Sequence, residues 1–135
     1  MILDTSALVA LLFGEPEAEA LARAIAADPI REMSAVTALE LLIVVDSRKG
    51  PRGVEEVESL IADLHIEIGA FDASQARRAF AAWRRSGKGR QLAALNLGDC
   101  CTFAFAAERG DAILYKGDDF SRTDCAKVPR GDSPD

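Results

Sequence analysis

The chain has 135 residues, 16 of them basic and 22 acidic for a net charge of −6, and a single histidine. That length predicts one domain burying roughly two thirds of its unfolded surface, and the lone His65 excludes acid–base chemistry built on a histidine pair. No stretch approaches the ~20 uninterrupted apolar residues of a membrane span, and Asp4 with no basic lead-in argues against a signal peptide, so the expected location is the cytoplasm.

Met1 to Leu3 read as a short buried strand and Thr5 to Leu12 as a helix. Glu15-Pro16 opens a second, alanine-rich helix running towards Ala27, proline being suited to a first helical turn. Ile30 to Met33 form a brief extended piece. The stretch "SAVTALELLIVVDSRKG" then predicts a long helix with Ser34 or Thr37 as its cap and Gly50 as its stop. Another helix follows Pro51 and ends near Leu64. "HIEIGAF" alternates like a strand, and a helix from Asp72 to Arg85 follows. On that helix Ala76, Phe80 and Trp83 recur at helical spacing and are expected to face the core. "GDCCTFAFAAERG" gives a further helix, "AILY" a strand, "KGDDFSRTD" a polar loop and "AKV" a last edge strand.

Short strands alternating with helices imply an α/β fold with a mostly parallel central sheet flanked by helices. We expect the domain to span residues 1–128, with 129–135 as a flexible tail. Cys100, Cys101 and Cys125 show no C-x-x-C spacing, and the adjacent pair in an apolar run reads as buried thiols rather than a disulfide or zinc site.

In such a sheet a ligand site lies beyond the carboxyl ends of the strands, near the point where strand order reverses. Asp4 leaves the first strand at that edge, and the loop holding Asp118 and Asp119 leaves "AILY" at the same edge. Asp99 opens a helix that is apolar on nearly every side. Glu40 is the lone charge between Ala38 and Val45, where an ionised group is costly unless paired or bound to a cation. Taken singly, each acid has a structural explanation. Asp4 and Asp99 suit helix N-termini, and Thr37 to Glu40 has the spacing of a capping box. Capping does not explain why the acids stand beside buried apolar runs, nor why two of them leave strands at one edge. Clustered carboxylates repel unless a cation neutralises them, and oxygen-only ligands select a hard ion such as Mg²⁺ or Mn²⁺.

Four segments in order, "MILDTSALVALL", "MSAVTALELLIVV", "GKGRQLAALNLGDC" and "LYKGDDFSRTD", resemble the successive motifs of a PIN-domain ribonuclease of the VapC toxin type, from Met1 to about Val128. The resemblance implies a PIN-like three-layer sandwich. It places Asp4, Glu40, Asp99 and Asp119 on the family's acidic quartet, with Asp4 and Asp99 as ligands of Mg²⁺. Asp118 and Asp124 are neighbouring acids, and Thr5, Ser6 and Asn96 fall on supporting polar positions. It further implies a Mg²⁺-dependent endoribonuclease that leaves a 3′-hydroxyl and a 5′-phosphate without a covalent intermediate, a toxin homodimer, and a VapB-like antitoxin partner.

The net acidity hides an uneven distribution. From Ala73 to Gly98 there is no acid, and Arg77, Arg78, Arg84, Arg85, Lys88 and Arg90 give that segment +6, leaving −12 elsewhere. Arg77 with Arg84, and Arg78 with Arg85, stand seven apart on one helix side, and "SGKGRQ" continues the charge towards Asp99. That continuity suits an RNA backbone, although a solvated helix face accounts for the same pattern.

Two other classes use related features. A Mg²⁺-dependent phosphotransfer domain also places an Asp at a strand end; an aspartate-nucleophile phosphatase needs D-x-D there, whereas Ser6 stands two after Asp4, and the acid pair of a receiver module is missing. A non-catalytic PIN-like interaction module would tolerate loss of the acids, yet all four are present.

Overall fold

Strand β1, Ile2–Leu3, is only two residues long and is fully buried, one side chain on each face of the sheet. It is followed by α1 (Thr5–Leu12), α2 (Ala18–Ala27), β2 (Glu32–Ser34), α3 (Ala35–Asp63), β3 (Glu67–Gly69), α4 (Ala73–Ser86), α5 (Leu97–Arg109), β4 (Ile113–Leu114) and β5 (Lys127–Val128). This computed structural model describes residues 1–86, 96–117 and the backbone of 127–128. The strands lie in the order β3-β2-β1-β4-β5, and every neighbouring pair is parallel. The chain therefore builds outward from β1 through β2 to β3, then returns to the other side of β1 with β4. The order reverses at the β1/β4 pair, and in open α/β sheets ligands bind beyond the carboxyl ends of the strands at such a point.

Two apolar clusters give the three layers. Leu3 and Leu114 point into one with Met33, Leu8, Leu21, Ile25, Leu41 and Val45, which come largely from α1, α2 and α3. Ile2 and Ile113 point into the other with Phe103, Phe105 and Ala82 of α5 and α4. Because both faces of β1 and β4 are covered, their sequences are short apolar runs without polar alternation. The long α3 is two helical arms joined at Gly50, whose φ of 65° and ψ of −156° a side chain would strain, immediately before Pro51. Arg31 ties two helix ends together, its guanidinium donating to the carbonyls of Ile25 and Ala26 at the end of α2 and of Leu64 after α3.

The structure selects one of two caps the sequence offered for α3 and departs from the sequence reading in two places. The cap of α3 is Ser34, which accepts from the Val36 amide at 3.1 Å, so Thr37 and Glu40 do not form a capping box. β3 is shorter than "HIEIGAF" suggested, because the end of α3 runs to Leu64 and His65 takes the left-handed φ of 51° before pairing begins at Glu67. The core face of α4 is Gln75, Ala79 and Ala82; of the expected stripe Trp83 packs against the core, half-buried, while Ala76 and Phe80 are exposed. Small residues let α4 approach α5 closely, and Phe80, 58% exposed, is left at the side and stacks on Trp83 with ring centres 6.3 Å apart.

Candidate active site

Asp4 is extended (φ −90°, ψ 155°) and continues the ladder past β1, its amide donating to the Leu114 carbonyl at 3.1 Å. Being the first residue beyond the strand, it is also the N-cap of α1. Its Oδ2 accepts from the Ser6 amide at 3.0 Å and from the Ser6 hydroxyl at 2.6 Å. Its Oδ1 accepts from the Thr102 hydroxyl of α5 at 3.0 Å. The Ser6 Oγ in turn accepts from the Lys116 amide at 2.9 Å, just after β4. Four elements thus converge on one carboxylate that is only 4% exposed. Burial pushes the Asp4 carboxyl above its ordinary range; the Ser6 and Thr102 hydrogen bonds oppose this, and the charge of Glu40 adds to it.

Glu40 comes from α3, where its Oε1 accepts from the Thr5 hydroxyl at 2.5 Å. A turn before it, the Thr37 hydroxyl lies 3.2 Å from that of Thr102. The hydroxyls of Thr5, Thr37 and Thr102 therefore stitch α1, α3 and α5 together around Asp4. Asp99, 7% exposed, sits in the first turn of α5. It forms a reciprocal capping box with Asn96: the Asp99 amide donates to Asn96 Oδ1 at 2.8 Å, and the Asn96 amide donates to Asp99 Oδ2 at 3.1 Å. Capping and membership of an acidic cluster are not alternatives here. Asp4 and Asp99 cap their helices, and capping fixes where their carboxylates stand.

The donors are hard oxygens. Cys100, one residue on, has its thiol pushed up to about 11, first by burial and then by the neighbouring Asp99 and Cys101. A thiol held protonated is a poor ligand and a poor nucleophile at neutral pH. Among the described residues no three acid, His or Cys side chains stand close enough to hold an ion by themselves. Asp118, Asp119 and Asp124 lie outside the described residues, as do Lys88 and Arg90. Arg77, Arg78, Arg84 and Arg85 are exposed on α4, with Arg84 5.9 Å from the centre of the Phe80 ring and Arg85 5.7 Å from that of Phe103. An apolar groove of about 440 Å³ between α4 and α5 is lined among others by Phe71, Phe80, Trp83, Leu97 and Cys100, with no carboxylate among its described lining residues.

Sequence reasoning missed Thr102 and saw Thr37 only as a cap. The signal was present: Thr102 is the one polar side chain from Cys100 to Ala106, a turn beyond Asp99, as Thr37 is a turn before Glu40.

Similarity to known proteins identifies the family. Residues 1–125 match the PIN domain family. Over 128 residues the chain is 47% identical to Ribonuclease VapC of Mycolicibacterium smegmatis, covering 95% of this chain and 99% of that one. The fold superposes on the crystal structure of VapC20 from Mycobacterium tuberculosis, a sarcin-ricin loop cleaving toxin, with a TM-score of 0.77, 20% identity and coverage of 94% and 97% of the two chains. It also superposes on DNA-bound VapBC from Salmonella typhimurium, with a TM-score of 0.74, 21% identity and 95% of each chain covered. With the family matched along nearly its whole length and a relative almost half identical throughout, the chain belongs to the PIN-domain family, among its VapC members.

Proposed function

We propose that this protein is the toxin of a toxin–antitoxin pair, a Mg²⁺-dependent endoribonuclease, with Mn²⁺ able to substitute. The observation that carries the reading is Asp4: a buried carboxylate at the strand-order reversal, with the charge of Glu40 beside it and α5 tied to it through Thr102. Burying like charges near one another is costly unless a cation joins them. In this reading Asp4 and Asp99 are the metal ligands, with Glu40 and Asp119 completing the catalytic set. When bound, the ion stabilises negative charge building on the phosphodiester and lowers the pKa of water. The chain's own part is positional. Thr102 and Ser6 hold Asp4, Asn96 holds Asp99, and Thr5 turns Glu40 towards α1, leaving Glu40 as the acid placed to orient water. Thr5, Ser6 and Asn96 thus support the acids; Asp118 and Asp124 are candidates for the same role.

Arg77, Arg78, Arg84, Arg85, Lys88 and Arg90 provide the positive charge along which an RNA backbone runs towards Asp99. The relative named Ribonuclease VapC supports RNA as substrate, and the VapBC complex among the structural neighbours supports a VapB-like antitoxin as partner; a toxin homodimer is part of the proposal. Inducing the protein in cells and sequencing the 5′ ends of RNA fragments tests the activity directly. New 5′-phosphate ends at defined sites are expected from the parent and not from Asp4→Asn; equal fragment patterns from both would remove the reading.

A further inference from the structure

Gly98 stands in the first turn of α5, between Leu97 and Asp99, in a backbone conformation that any residue adopts. Glycine is among the poorest helix formers, so neither conformation nor propensity accounts for it there. Space does. A Cβ built on Gly98 would lie 2.6 Å from Glu40 Oε2, 2.8 Å from Oε1 and 3.0 Å from Cδ. The Glu40 carboxylate is therefore seated directly against the helix, with the Thr5 hydroxyl on Oε1.

We infer that Gly98 is a positioning residue for Glu40: the missing side chain is the seat that lets the carboxylate of α3 rest on the first turn of α5, next to Asp99. The favourable end of the helix dipole attracts an anion to that turn, and only a bare Cα admits it at this distance. The atoms in conflict are the far end of a flexible side chain, whereas no backbone atom lies among those nearest the built Cβ. An added methyl therefore displaces Glu40 rather than α5. The fold survives and the acid moves. This inference rests on the proposed metal-dependent reading, in which Glu40 completes the catalytic set beside the ligands Asp4 and Asp99, and adds that the charge of Glu40 at this seat contributes to holding the ion.

The test is a double-mutant cycle with Gly98→Ala and Glu40→Ala, read in three ways: Mn²⁺ affinity by calorimetry, RNA cleavage, and the melting temperature in EDTA. Gly98→Ala is expected to melt in EDTA within a few degrees of the parent, and to weaken Mn²⁺ binding and cleavage by about tenfold or more, the scale on which groups that orient ligands act. In the Glu40→Ala background the same substitution is expected to change neither, because the group it displaces is gone. A further substitution, Gly98→Ser, adds bulk at the same atom and should reproduce the loss. The inference is overturned if Gly98→Ala binds Mn²⁺ and cleaves as the parent does, or if its losses are equal with and without the Glu40 carboxylate. If Glu40→Ala alone leaves ion affinity and cleavage unchanged, Glu40 has no part in the site and the inference is overturned, whereas failure of the metal reading itself would show as full activity and ion binding in Asp4→Asn and Asp99→Asn, a result distinguishable from the first two.

Discussion

At the amino end of β1 the Met1 ammonium lies 3.2 Å from Asp28 and 2.9 Å from Asp111, and donates to the Ile30 carbonyl at 2.6 Å. At the carboxyl end of the same strand, Asp4 and Glu40 receive hydrogen bonds from hydroxyls and one backbone amide, and among the described residues neither is paired with Lys or Arg. The two ends hold the same kind of side chain under opposite conditions. The Ile30 amide, assisted by the ammonium, holds the Asp28 carboxyl below its ordinary value, whereas burial raises that of Asp4. One end carries its own cation and acts as a fastening. The other offers neutral donors that orient carboxylates without neutralising them, which is what a site for an external cation requires.

The largest expected effect breaks the second end and spares the first. Asp4→Asn and Asp99→Asn should each lower Mg²⁺-dependent RNA cleavage by at least ~10²-fold in a purified assay, since each removes what the proposed reading makes a charged ligand. Both helix starts persist, because Asn is as good an N-cap as Asp at position 4 and Asn96 remains the N-cap of α5, so far-UV circular dichroism should be unchanged. Retention of full activity by either variant would show that its carboxylate is structural.

Glu40→Gln comes next. Ser34, not Thr37, caps α3, so Glu40 has no capping duty for Gln to preserve. The amide can still accept from Thr5 while losing its charge. A melting curve close to the parent's, with cleavage down by roughly tenfold or more, is expected; normal cleavage would place Glu40 with the fastening acids.

Smaller effects come from the basic helix. Removing Arg77 or Arg84 should weaken RNA binding across sequences, and the slope of log affinity against log salt should become shallower by about 0.7 for each phosphate that is no longer neutralised. An unchanged slope would identify these arginines as a solvated face.

The smallest effect separates the two ends by pH. Asp28, its folded value lowered, adds stability above its ordinary value of 3.8 and loses it as pH falls through the folded value. Asp4, its folded value raised, has the reverse sign: its contribution is whole below 3.8 and is lost as pH rises through the raised value. In EDTA, Asp28→Asn should flatten the acid limb of the stability curve, and Asp4→Asn should flatten the decline that sets in as pH rises above 3.8.

Much of this was legible in the chain. Buried strands such as Ile2–Leu3 and Ile113–Leu114 announce themselves as apolar runs, and Asp4 stood out because it interrupts one. Relations between helices were less legible. The period of Ala76, Phe80 and Trp83 marked an apolar stripe, but the small residues Ala79 and Ala82 decided which face met α5, and close approach depends on the partner helix. Thr102 holding Asp4 spans 98 residues, and no local pattern encodes such a pairing.

Whether the carboxyl end of β1 is a cation site built of unneutralised acids is tested most directly by thermal unfolding of the parent and of Asp4→Asn, in EDTA and then with millimolar Mn²⁺. An ion that binds only the folded form stabilises by about 2.7 kcal/mol at a hundredfold excess over its dissociation constant, a shift of several degrees for a domain of this size. That rise is expected for the parent and a much smaller one for Asp4→Asn, and the variant should melt at or above the parent in EDTA because one buried charge is gone. No shift in the parent at ion concentrations that support cleavage, or equal shifts in both proteins, would contradict a cation site there.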